Sequence, residues 1–247
     1  MAIAVDSRQS GTNSAGASTL SWNHTLGVIS NAILLVQTGC GLNTITSIQW
    51  DALGTPVGLA VKGKQASASV QSEIWFLLSP AVTGTKSIKI TYGASVVCTS
   101  GSSSYSGVGQ ATPFNAASPQ GATASTGTIT VAVTSAVGEL VVDSVVDPEF
   151  SVADTLVPSG SQTTIYNITN GGNNAGGASD QAGAASVTMS WTGVTGGGDW
   201  DTVAVSMIAA GGAALTGTAM SSITEADVVA GGKTIIITLT GDTWIPA

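Results

Sequence analysis

Thr128-Ile-Thr-Val-Ala-Val-Thr134 decides the fold class. Ile129, Val131 and Val133 fall on one side of an extended chain, and Thr128, Thr130 and Thr134 on the other. That period of two, carried by β-branched residues, fits a half-buried pleat. A helix would scatter the same side chains around its circumference. The alternation returns at Ile88, Ile90 and Tyr92 against Ser87, Lys89 and Thr91, at Val187, Met189 and Trp191, and at Ile235, Ile237 and Leu239. Gly, Asn, Pro and Ser clusters separate further strand candidates over roughly 18–26, 32–38, 44–50, 57–61, 72–79, 94–100, 139–146, 162–169 and 201–209. About fifteen short strands with no amphipathic helix between them predict packed antiparallel sheets. The expectation is an all-β, two-sheet, jelly-roll-like sandwich over residues 1–211.

Composition narrows the function classes. The chain has 247 residues, with 14 acidic against 6 Lys and Arg, a net charge of -8 and only 8% charged residues. An ordinary soluble domain carries about 25%. With so few cations there is no basic footprint, so neither nucleic acid nor an anionic membrane surface is expected as a partner. No apolar run approaches the ~18 residues of a spanning helix. Met1-Ala-Ile-Ala-Val-Asp6 lacks the basic and apolar regions of a secretion signal. The protein is therefore expected to work where it is made, or to leave the cell inside a particle. In that setting Cys40 and Cys98 are expected to be two reduced thiols, and a zinc site lacks ligands because His24 is the only histidine.

Three stretches read as long loops: 100–126, 170–185 and 193–199, all rich in Gly, Ser, Ala or Asn. A boundary falls near Ala209–Ala214. The segment 212–247 is too short for a core of its own and forms a strand-rich extension. Within it Ile236 sits opposite Ile235, Ile237 and Leu239, so this strand is apolar on both faces and needs cover on both. Ile235, Ile236, Ile237, Leu239 and Trp244 are accordingly the expected assembly interface, packed on the sandwich or on a neighbouring subunit of a homo-oligomer, with a trimer as the expected order.

Residues able to do chemistry are sparse. His24 lies in an alternating strand and reads as structural rather than as the base of a triad. Glu139 and Asp143 share a strand face about 13 Å apart at ~3.3 Å per residue, wider than the roughly 5–9.5 Å of glycosidase pairs. Calcium is the one candidate ion, with oxygens from Asp147, Glu149, Asn173, Asn174, Asp180, Asp199 and Asp201; solvated loop acids are the preferred reading, and no cofactor is expected. Among six tryptophans, Trp75 reads as core. Trp200, after three glycines and between Asp199 and Asp201, reads as the exposed one, able to grip a surface glycan by stacking or to anchor a subunit. Asn23-His-Thr25 and Asn167-Ile-Thr169 match glycosylation sequons, a pattern that arises readily by chance.

The order of segments Met1–Asp6, Leu20-Ser-Trp-Asn-His-Thr25, Ala32-Ile-Leu-Leu-Val36, Ile45-Thr-Ser-Ile48, Glu73–Pro80, Thr85–Thr91, Gly138–Asp143 and Trp191–Ile208 resembles phage-encoded virion proteins and bacterial surface sandwich modules. The segment Ile223–Trp244 resembles the first strands of an immunoglobulin-like repeat of phage fibres and surface proteins. The resemblance implies a non-enzymatic structural protein of a bacteriophage particle, a capsid decoration or fibre-type protein located in the virion. Its implied partners are copies of itself and other virion proteins such as the major capsid or tail proteins. The alternatives are a carbohydrate-binding adhesin module at a bacterial surface and a self-assembling extracellular filament subunit.

Overall fold

A computed structural model describes residues 2–125, 127–148, 156–170, 174–193 and 199–211. The described part is all β, with antiparallel sheets packed as a sandwich. Two strands of 23 residues, β1 (Ala4–Leu26) and β7 (Gly84–Ser106), pair along their full lengths. On the other side of β7, β3 (Ile45–Trp50) takes the first part and β2 (Ile33–Gly41) the last. β6 (Val70–Leu78) then pairs with β2, β5 (Ala60–Ala66) with β6, and β4 (Val57–Gly58) with β3. This sheet curls until it is nearly a closed barrel, because Ile88 and Ile90 of β7 and Ile48 and Trp50 of β3 share one apolar cluster with Leu34 and Val36 of β2.

The middle sheet runs β12 (Thr163–Asn170), β13 (Asn174–Ala182), β10 (Leu140–Asp147), β15 (Trp200–Met207) and β8 (Gln120–Ala124). The outer sheet has β11 (Val157–Pro158), β14 (Ser186–Thr192) and β9 (Thr128–Thr134). Ile33, Leu35, Ile74 and Tyr105 of the curled sheet meet Val142, Tyr166, Val205 and Met207 of the middle one. On the far face Val141 and Val145 meet Ile129, Val131, Val133 and Trp191. A sheet covered on both faces needs nearly continuous apolar strands, and Val141-Val-Asp-Ser-Val-Val146 supplies one. The sandwich therefore stacks three sheets among the described residues.

Two stretches expected as loops contain strands. Ser100-Gly-Ser-Ser-Ser-Tyr-Ser106 is the end of β7, running between β1 and β2, and β13 occupies much of 170–185. Small residues here are a packing device rather than a loop signal. Gly177 lies under the Trp191 ring, Gly176 under Thr99 and Gly101 under Tyr166, so three neighbours approach where any side chain would obstruct them. The reduced-thiol expectation is also corrected. Cys40 and Cys98 stand directly opposite in the β2–β7 register, 4.1 Å apart at Cα, and are disulfide-bonded. Strand register decides that pairing, and the spacing of two cysteines in the chain does not reveal it.

The chain divides into Met1–Gly212 and Ala213–Ala247. The expected interface residues Ile235, Ile236, Ile237, Leu239 and Trp244 lie outside the described residues, as do Glu149 and Asn173. No helix of the described residues is long and apolar enough to cross a membrane.

Candidate functional site

The curl of the first sheet folds the end of β1 over the end of β7, and this places a polar chain inside an apolar barrel. Ser102 and Ser104 project from β7 beside Leu34 and Val36. His24, from β1, reaches both: Nδ1 lies 2.9 Å from Ser102 Oγ and Nε2 lies 3.0 Å from Ser104 Oγ. Ser104 Oγ–H donates to Asp6 Oδ2 at 2.7 Å, and Trp22 Nε1–H donates to Ser102 Oγ at 3.0 Å.

The two ends fix every proton in this chain. An indole only donates and an ionised carboxylate only accepts. Ser104 uses its hydrogen on Asp6, so His24 Nε2 must carry the proton that Ser104 accepts. Ser102 accepts from Trp22, so its own hydrogen goes to an unprotonated Nδ1. The ring is thus the neutral Nε2–H tautomer. Protonating Nδ1 would strand the Ser102 hydrogen in an apolar interior. The ring's acidity agrees: burial pushes it down to about 4, against the pull of Asp6. Trp50 closes the site edge-on, 6.1 Å between ring centroids.

In order of roles, Ser102, His24 and Ser104–Asp6 correspond to nucleophile, base and orienting group. Ser102 and His24 are each 0% exposed, and Trp22 Nε1–H donates to Ser102 Oγ. The arrangement as folded pins one half of the barrel to the other. Nothing local in the sequence marks it, because Asp6, His24 and Ser102 meet only through the curl.

Two buried acids bind layer to layer. Between the middle and outer sheets, Asp143 accepts from Ser179 N–H and Oγ–H, both at 2.8 Å, and from Trp191 Nε1–H at 2.7 Å. Burial pushes its carboxyl up to about 7, with the Ser179 and Trp191 hydrogen bonds working the other way. Between the curled and middle sheets, Arg8 grips both oxygens of Asp180 at 2.7–3.0 Å, and Tyr105 O–H adds a third donor at 2.8 Å.

Of the expected ligand-gripping set, Trp200 and Asp201 are not at the surface. Trp200 is 0% exposed, packed with Ile129, Val145, Leu156 and Trp191. The missing side chain of Gly193 leaves the slot its ring occupies. Asp201 is buried and takes hydrogen bonds from Thr123 Oγ–H and Ser67 N–H at 2.7 Å each. Asp199 beside it is half-buried. Trp75, expected in the core, is half-buried against it, with its indole on Glu73. Of the proposed calcium oxygens, Asp147, Asn174, Asp180 and Asp201 are buried rather than solvated. Among the described residues no cluster of three His, Cys, Asp or Glu side chains is placed to hold a metal. Glu139 accepts from Ser135, Ser206 and Asn115 at the start of β10, apart from Asp143. In the two sequons Asn23 is exposed, whereas Asn167 donates to the Leu156 carbonyl.

Comparison with protein-family models, curated proteins and solved structures returned no match.

Proposed function

We propose that this chain is a non-enzymatic structural protein of a bacteriophage particle, of the capsid decoration or fibre type, acting by protein–protein assembly. The observation that carries the reading is where the reactive side chains lie. His24, Asp143, Asp180 and Asp201 are all buried and all engaged in hydrogen bonds that join strands and layers. The remaining surface is poor in charge, and association across such a surface desolvates few ions. The resemblance of segment order to virion proteins supplies the particle.

One observation favours a second setting. A buried disulfide between Cys40 and Cys98 suits a protein that lives outside the reducing cytosol, which a bacterial surface module does as well as a mature particle. The adhesin version of that reading loses the exposed Trp200 on which it rested.

Immunogold electron microscopy tests the proposal, using antibody against the purified chain on particles and on cells from the culture that encodes it. Regular labelling of phage particles is expected. Label confined to cell envelopes would overturn the phage reading in favour of the surface module.

A further inference from the structure

A sheet edge with unpaired backbone groups invites another strand, and folded proteins blunt such edges with charge, bulges, proline or shortness. Among the described residues the outermost strands of the three sheets are blunted with one exception. β1 carries four register irregularities along its pairing with β7. β5 carries Lys62, Lys64 and a bulge. β12 carries a bulge, β4 and β11 have two residues each, and β8 has five and follows Pro119. β9 has seven residues, no charge, no proline and an unbroken register with β14.

The backbone direction of β9 follows from its neighbours. In an antiparallel pair, opposite residues alternate between exchanging hydrogen bonds and facing away. Gly193 N–H donates to the Gly127 carbonyl, so odd-numbered residues of β9 face β14. Ser190, opposite Thr130, turns its own N–H and C=O away from β9, toward Gln162 and Ser159. The even residues Thr128, Thr130 and Ala132 therefore present N–H and C=O on the outer edge, and the Thr134 N–H there is already held by Gln120 Oε1 at 2.6 Å.

We propose that this edge takes the β9 strand of a second copy of the chain, antiparallel, about a two-fold axis at Val131. The sequence is nearly palindromic there. Ile129 would stand opposite Val133, Thr130 opposite Ala132, and Thr128 opposite Thr134 of the second copy. Even residues meet even residues, so the outward N–H and C=O groups of Thr130 and Ala132 meet their counterparts, while the Thr134 N–H stays with Gln120. Ile129, Val131 and Val133 are buried on the inner face while Thr128, Thr130, Ala132 and Thr134 are exposed, so both faces continue in phase across the junction. The near-palindrome selects a copy as occupant, because a second β9 matches this edge residue for residue, and with no charge on β9 the two strands of a chain that carries -8 oppose no like charges at the junction. Self-pairing is also isologous, which closes at two subunits instead of growing into a filament.

This deepens the assembly reading by naming its first partner. Sedimentation velocity of the full chain across a concentration series reads it, with wild type, Thr130→Lys, Ala132→Pro and the control Thr188→Lys, which lies on the same exposed face but on β14. Wild type and Thr188→Lys should dimerise, and the two β9 variants should weaken dimerisation by about tenfold or more with an unchanged far-UV circular dichroism spectrum. A wild type monomeric throughout, or a folded Thr130→Lys that dimerises as wild type does, overturns the proposal. Hydrogen exchange over 128–134 provides a second readout. Protection that rises with protein concentration supports a second copy, whereas concentration-independent protection means the chain covers its own edge and overturns it. Gold-labelled particles together with undisturbed dimers of Thr130→Lys would sink this edge and leave the assembly reading standing.

Discussion

Replacing Asp143 with asparagine removes a titration that the fold has displaced. Burial holds this carboxyl up to about 7 against an ordinary 3.8. Between those values the folded chain keeps a proton that the unfolded chain has released. The stability Asp143 contributes is thus fully present below pH 3.8 and is lost as pH rises through 7. At about 1.36 kcal/mol per pH unit, a window of about three units amounts to on the order of 4 kcal/mol. His24 has the opposite sign. Its value falls from 6.5 to about 4, so its contribution is present above pH 6.5 and lost as pH falls through 4, on the order of 3 kcal/mol. The wild type holds both slopes at once, and Asp143→Asn leaves His24 unopposed by Asp143. Urea unfolding followed by tryptophan fluorescence from pH 4 to pH 8 reads the difference between the two proteins. Wild type minus variant should shrink by about 4 kcal/mol as pH rises from 4 to 8. The asparagine amide also turns a donor toward Trp191 Nε1–H, adding a pH-independent loss of about 1–3 kcal/mol, so the slope is the test and the offset is not. Parallel profiles would mean that Asp143 titrates normally in the fold, and the reasoning would fail.

Other perturbations follow from the same geometry. Cys40→Ala with Cys98→Ala opens a loop with a sequence separation of 58 and should lower stability by about 4 kcal/mol in the chain-entropy model, read as a fall in the urea midpoint; an unchanged midpoint would deny the bond a stabilising role. Gly177→Ala puts a Cβ 2.8 Å from Trp191 Cη2 and should cost about 1–3 kcal/mol by overpacking, measured as a lower Tm, with no cost expected only if the layers can move apart freely. Nitrogen-15 NMR of His24 should show the Nε2–H tautomer unchanged from pH 8 to pH 5, with protonation centred near 4; a midpoint near 6.5 would contradict the proton assignments along Trp22, Ser102, Ser104 and Asp6.

Period-two alternation of β-branched residues was enough to determine the all-β class and most strand positions, because side chains on an extended chain alternate whatever lies above them. It also separated the faces of β9 and β14, where Thr128, Thr130 and Thr188 are exposed and Ile129, Val131 and Met189 are buried. Alternation fails where both faces are covered. Ser100–Ser104 and Ala175–Ser179 carry small residues on both sides, since the curled and middle sheets need room for Tyr166, Thr99 and Trp191, and in the sequence that need looks like a loop. Register was equally hidden. The Cys40–Cys98 bond, the grip of Arg8 on Asp180, and the run from Trp22 through His24 to Asp6 each join residues that only strand pairing and the curl of one sheet bring together. Trp200 shows the limit most plainly: its neighbours in sequence are glycine and aspartate, and its neighbours in space are Ile129, Val145 and Trp191, because burial is a property of what packs on a strand and not of what adjoins it in the chain.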